Sequence, residues 1–185
     1  MPLIVETIVT TRDRAGEVHI APLGLIAEGD EWIIAPFAPS RTLQNLRENP
    51  VAVANHVDDV RVFAGCLTGR RDWPWRAADK VDGAVLEASV SHWELEVARV
   101  EEDETRPRFF CRMVANGNHR PWGGFNRAQG AVLEAAVLIS RLKMLPPEKI
   151  ESELKYLEIA ISKTAGAREL EAWGWLMEKV EEWRG

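Results

Sequence analysis

The stretch that most constrains this chain is residues 18–59, VHIAPLGLIAEGDEWIIAPFAPSRTLQNLRENPVAVANHVDD. It opens with a strand interrupted at Pro22 and Gly24. Proline cannot donate to a sheet ladder, and glycine leaves room for a close backbone or ligand approach, so one face of this strand is expected to be open. A second strand follows the turn at Glu28-Gly29-Asp30. Ser40-Arg41-Thr42 then stands where a helix should begin, ahead of Leu43 and Leu46 at helical spacing. Serine is a favoured N-cap, and the first helical turn has backbone N–H groups without intrahelical partners. Two hydroxyls, a guanidinium and those amides could receive a phosphate. The plain alternative is an ordinary cap with an exposed arginine.

Around this stretch the elements are mostly β. Leu3 to Thr11 is rich in β-branched residues and is expected to form the first strand, with Arg12 to Glu17 as the turn into the second. Asn49-Pro50 should end the short helix, since proline biases its predecessor away from helical geometry. Strands are expected at Val51 to Asn55, Val60 to Leu67, Ala84 to Val90, Trp93 to Val100 and Arg108 to Ala115. Residues 68–82 have no period and are expected to be a surface excursion, and 116–124 a loop. Hairpin-linked strands without regular strand–helix alternation favour an antiparallel barrel over a parallel sheet. Beyond residue 126 the period changes to helical. Ala128 to Leu142 is largely apolar, Ile150, Leu154, Leu157 and Ile161 recur at spacings of four, three and four, and Leu170, Trp173, Leu176, Met177 and Val180 mark a last amphipathic helix. The expected class is thus α+β or mainly β, an antiparallel split barrel over residues 1–125 and a helical subdomain over 126–185.

These pieces in this order, Glu6 to Thr11, Ala21-Pro22-Leu23-Gly24, Ser40 to Leu46, Asn55 with Asp58-Asp59, and Phe125 to Ala128, resemble the FMN-binding split-barrel flavoproteins, and specifically the DUF447 family. The resemblance covers nearly the whole chain. It implies bound FMN in a homodimer with the flavin at the subunit interface, and no particular reaction. On that resemblance Ser40, Arg41 and Thr42 hold the phosphate, with Asn45 joining them or facing water. Ala21, Pro22, Leu23 and Gly24 offer backbone groups and an apolar wall to the isoalloxazine and ribityl chain. Asn55 is expected at a ring edge, while Asp58 lies nearer the ring or serves as a turn former, because a carboxylate beside a phosphate is repelled. Arg120, Trp122, Asn126 and Arg127 are expected to reach the neighbouring subunit's flavin; the bland alternative is a helix cap at Asn126 and a surface pair at Arg127.

Several classes are set aside by composition and motif. A net charge of −6 on 185 residues argues against sequence-independent binding to nucleic acid or an anionic membrane. Two cysteines, Cys66 and Cys111, without CxxC or a nearby histidine at ligand spacing suggest neither a metal site nor a disulfide framework. The acidic run Glu101 to Glu104 is expected to be a solvated hairpin loop. No basic leader or long apolar run is present at the start, so a soluble cytoplasmic setting is expected. Walker A and GxGxxG patterns are absent. His19 and His119 are the histidines of interest, each read as surface or structural because no nucleophile with an orienting partner accompanies them. The expectation is an FMN-dependent oxidoreductase of open substrate. A non-catalytic module that binds FMN or a related phosphate ligand is the alternative, motivated by the lack of an evident general acid or base.

Overall fold

In the computed structural model, which describes residues 1–185, the β-branched run near the start of the chain forms β1 (Ile4–Arg12). It is followed by β2 (Val18–Glu28), β3 (Glu31–Ile34), the helix α1 (Arg41–Glu48) and β4 (Val51–Val57). A short hairpin of β5 (Trp75–Ala77) and β6 (Ala84–Leu86) precedes two long strands, β7 (Ser89–Glu101) and β8 (Arg108–Asn118). Six strands close a barrel in the order β1-β2-β3-β8-β7-β4, every pair antiparallel.

The β2–β3 ladder is short, because β3 has only four residues. β3 is in register with β2 only over Ile26–Glu28, whereas β1 accompanies β2 from Val18 to Ile26. Pro22 lies in the segment registered with β1 alone, where its missing N–H is tolerated.

Strand side chains alternate between faces, and this sorts the barrel wall. Val9, Leu25, Ile34, Ala52, Ala54, Leu95, Phe109 and Cys111 form one buried cluster. Leu46 of α1 belongs to the same cluster, with Leu43 packed against it, so α1 contributes its apolar face to this core. The alternate row runs Pro22, Ile8, Asn55, His92, Gly117 across β2, β1, β4, β7 and β8 in direct register. Ile8, Asn55 and His92 in that row are also buried, and the amide of Leu86 in β6 donates to Asn55 Oδ1 at 2.8 Å. The β5–β6 hairpin therefore covers part of the alternate face. Strand structure was not expected within the excursion at 68–82, and β8 runs three residues past its expected end at Ala115.

This barrel unit comprises residues 1–57 and 73–121, and a second unit comprises 58–72 and 122–185. In the second unit the expected strand at Val60 to Leu67 is instead a helix, α2 (Arg61–Leu67). A short apolar run reads equally as buried strand or buried helix. Here Val60 and Ala64, four apart, enter one core with α3 (Arg127–Ile139), α4 (Pro147–Thr164) and α5 (Ala167–Arg184). Ile150, Leu154 and Ile161 of α4 and Ala172, Leu176 and Val180 of α5 are buried there, while Leu170 is exposed. Glu169 accepts the amide of Gly166 at 2.9 Å and ties down the start of α5. No helix is long and apolar enough to cross a membrane.

Candidate functional site

The head of α1 is assembled from three pieces of the barrel unit. Ser40 Oγ accepts the Leu43 amide at 3.3 Å and caps the helix, while the Gln44 amide donates to the Ser40 carbonyl at 3.1 Å. The amides of Arg41 and Thr42, in the first turn, have no acceptor within the helix. Asn45 is buried beneath them, its Nδ2 donating to Thr11 Oγ1 of β1 at 3.0 Å. Thr42 is buried as well. Across from the helix, Asp13 in the β1–β2 turn accepts the amides of Ala15 and Glu17 and also receives Arg41 Nη2 at 2.8 Å. The Glu17 amide, followed by those of Ala15 and the Arg41 guanidinium, holds the Asp13 carboxyl below the usual range despite some burial. Asp13, Pro39, Ser40, Arg41, Gln44 and Asn45 line a cleft of about 520 Å³.

This cleft suits a phosphate. Arg41 is about half exposed, the Ser40 hydroxyl keeps a proton to donate, and the free amides of the helix end add partial positive charge. Asp13 is the opposing charge, and an arriving phosphate dianion must take Arg41 from it. Ser40, Arg41 and Asn45 share the cleft; Thr42 is buried and does not line it.

The remaining candidates are placed differently. Ala21 and Leu23 alternate with Pro22 and Gly24, so the four do not form one wall: Leu23 packs on the barrel core, and Pro22 and Gly24 fall on the other face. Gly24 is needed because a Cβ there would lie 2.6 Å from Ile4 Cγ2. Asn55 is wholly engaged by the fold. Its Nδ2 donates to the Ile8 carbonyl at 3.1 Å and to Thr10 Oγ1 at 3.2 Å, and its Oδ1 accepts Leu86 N at 2.8 Å and Ser89 Oγ at 3.0 Å. Arg120 Nη2 donates to the Ala88 carbonyl at 3.1 Å.

In the helical unit, the Asp58 carbonyl accepts Gln129 Nε2 at 3.0 Å. Asp59 is buried, with both carboxylate oxygens on the Arg61 guanidinium. Asn126 caps α3, accepting the Ala128 and Gln129 amides and donating to the Thr164 carbonyl. Trp122 stacks edge-on against Phe125, and both are exposed, as is Arg127. Burial pushes Cys66 up to about 11 and Cys111 to about 12, so neither thiol is a ready nucleophile.

Three residues of consequence were not singled out in the sequence. Asp13 looked like turn filler, although an aspartate at the start of a DRAGE turn is a typical acceptor for turn amides. His92 and Glu94 alternate with Trp93 and Leu95 along β7. Their pattern reads as an exposed polar face, yet both are buried.

The family model described as protein of unknown function (DUF447), N-terminal domain, matches residues 5–120, and its C-terminal counterpart matches residues 126–178. No curated protein matches the chain. Among solved structures, the chain is similar to the FMN-bound DUF447 protein MM1853 of Methanosarcina mazei, with a TM-score of 0.82, 20% identity and coverage of 97% of this chain and 96% of that one. It is also similar to the 2-nitrobenzoate 2-nitroreductase NbaA of Pseudomonas fluorescens, with a TM-score of 0.55, 19% identity and coverage of 64% and 66%. A third likeness is to an FMN-binding protein from Thermus thermophilus with bound 1-cyclohex-2-enone, at a TM-score of 0.52, 16% identity and coverage of 64% and 71%. These likenesses establish the split-barrel fold. With both family models in place over most of its length, the chain belongs to the DUF447 family.

Proposed function

We propose that the protein binds FMN with its phosphate at the head of α1 and acts as an oxidoreductase, working as a homodimer with the flavin at the subunit interface. The observation that carries this reading is the donor set of Ser40, Arg41 and the first-turn amides around one cleft, on a barrel like that of the FMN-bound protein of the same family. When bound, the flavin supplies the hydride or electron chemistry, and the protein supplies binding and orientation. Arg41 neutralises the phosphate, Ser40 donates its hydroxyl, and Asn45 braces the helix against β1. Pro22 lies where β2 is registered with β1 and not with β3, an edge at which a second subunit or the ring can approach. Neither cysteine is in a disulfide, which suits a reducing, cytoplasmic setting, and the net charge of −6 disfavours nucleic acid as a partner.

Reconstitution tests the flavin claim: purified protein mixed with FMN and passed through a desalting column should retain flavin absorbance in one-to-one ratio per chain. Loss of all flavin on the column at micromolar protein would contradict it. The redox claim is tested by anaerobic mixing of the FMN-loaded protein with NADH and with NADPH, followed by a chemical reductant in the presence of candidate acceptors. Bleaching by a nicotinamide, or catalytic reoxidation by an acceptor, supports an oxidoreductase. A passive binding module is the second reading, favoured by the full engagement of Asn55 and Asn126 inside the fold, and it predicts neither.

A further inference from the structure

Away from the head of α1, the barrel unit contains a chain of ionisable side chains that runs from a buried carboxylate to an exposed imidazole. Glu94 is fully buried on β7. Its Oε1 accepts the Asp79 amide at 2.8 Å, and its Oε2 accepts the amides of Lys80 and Val81 at 2.7 and 2.9 Å. Two residues back on the same face, His92 is 1% exposed and places Nε2 3.3 Å from Glu94 Oε1. On its other side, His92 Nδ1 lies 2.9 Å from Nε2 of the exposed His119, and the two rings are within 8° of parallel. Gly117 is registered directly opposite His92, and a Cβ there would meet His92 Cε1 at 2.6 Å. The glycine leaves the space that the buried ring occupies.

The proton positions follow from the donor inventory. An ionised Glu94 only accepts, so His92 Nε2 carries a proton directed at it. A neutral His92 then has its lone pair on Nδ1, which accepts from His119 Nε2–H, and His119 is left with its lone pair on Nδ1. When a proton binds His119 Nδ1, the Nε2 proton of His119 can cross to His92 Nδ1. The N–H bond at His119 Nε2 breaks as the one at His92 Nδ1 forms, and the positive charge moves next to Glu94. We infer that Glu94, His92 and His119 form a proton relay that connects a buried carboxylate to an exposed imidazole, whose outer nitrogen is an acid–base site on the barrel surface. The relay does not depend on flavin binding.

The other charged or titratable groups that act on the two rings are Arg76 and Asp79 of the β5–β6 hairpin and His56 of β4. Partial burial, then the positive neighbours His92 and Arg76, hold His119 below its ordinary value, against a smaller opposing effect of Asp79. A metal is the rival occupant, since ligand atoms of Asp79, His92 and Glu94 lie within 4.8 Å of one another. Both nitrogens of His92 and both oxygens of Glu94 are already hydrogen-bonded, however, and a cation would have to break those bonds.

The test is a pH titration of the full chain labelled with ¹⁵N-histidine, reading each ring nitrogen. The relay predicts that Nδ1 of His92 and Nδ1 of His119 become protonated in one step with a common midpoint. In His119→Ala, an exposed change that leaves the core intact, the shared step is lost and His92 should titrate at a pH displaced from the native common midpoint. Glu94→Gln, which removes the buried negative charge beside His92, should lower the common midpoint. Separate midpoints in the native protein, or an unchanged His92 in His119→Ala, would overturn the relay. So would capture of both rings by equimolar zinc, which would make the cluster a metal site.

Discussion

Arg41 Nη2 lies 2.8 Å from Asp13 Oδ2 across the cleft at the head of α1, so the guanidinium proposed to hold a phosphate already carries a counter-charge. The pair is half exposed on the arginine side, and such pairs contribute little to stability. Its consequence is for binding. Asp13→Asn keeps an acceptor for the turn amides of Ala15 and Glu17 but removes the negative charge that a phosphate must face. FMN affinity should rise several-fold at low salt, with riboflavin affinity unchanged. A fluorescence titration with both ligands checks this, and equal changes for the two would disconnect Asp13 from the phosphate.

Asn55 should behave as a structural latch. Asn55→Ala strips the acceptor from the Leu86 amide and Ser89 hydroxyl and the donor from the Ile8 carbonyl, all inside the barrel wall. Leaving such groups unpaired costs on the order of 1–3 kcal/mol each, partly relieved by water entry. A loss of about 2–4 kcal/mol in urea unfolding is expected. A variant of native stability would show that the β5–β6 hairpin does not depend on this residue.

Gly117→Ala adds a methyl group where the His92 ring already is. The ring is buried against Glu94 and has little room to yield, so overpacking should cost roughly 1–3 kcal/mol. Because the cost arises at His92, Gly117→Ala combined with a smaller residue at 92 should recover much of it. A double-mutant cycle by thermal or urea unfolding measures the coupling, and simple additivity would contradict the contact.

Acid should destabilise the fold in two stages. Burial holds His56 below its ordinary value, with Ser91 opposing and His92 adding to the depression, and its Nε2 is buried without a hydrogen-bond partner. Burial would raise Glu94, but the amides of Asp79, Val81 and Lys80 and the His92 ring outweigh it and hold the carboxyl low. A group with a depressed folded pKa contributes stability above its unfolded value, and that contribution is lost as pH falls toward the folded one. The His56 loss therefore begins near pH 6.5 and the Glu94 loss near pH 4.5. Urea midpoints measured from pH 8 to pH 3.5 should decline through both windows, and His56→Gln should make the upper decline shallower, leaving the part due to His119. Stability that rises as pH falls from 7 to 5 would contradict the assignment.

The sequence disclosed the elements whose local chemistry is unambiguous. Ser40 before Leu43 and Leu46 announced α1, and the spacing of Ile150, Leu154 and Ile161 announced a buried helix face, because caps and periodicity act through neighbours in the chain. Residues 60–67 fit a strand by sequence because a short apolar run satisfies either geometry, and only Val60 and Ala64 meeting the helical core decides for the helix. Asn55 was expected at a ligand and is spent on the fold; a polar residue ending a strand looks the same whether its partners are a cofactor or the Leu86 amide. His92 and Glu94 were hidden by alternation, which predicts a polar face and cannot show that a hairpin 15 residues upstream covers it.

The central claim, that the head of α1 holds the phosphate of FMN, is tested most directly by titrating the native protein and Arg41→Ala with FMN and with riboflavin. Loss of a charge-assisted contact costs roughly 1.5–3 kcal/mol. FMN should therefore bind Arg41→Ala about tenfold to more than a hundredfold more weakly, while riboflavin, which has no phosphate, binds both proteins alike. Equal weakening of the two ligands, or no weakening of either, would contradict the claim.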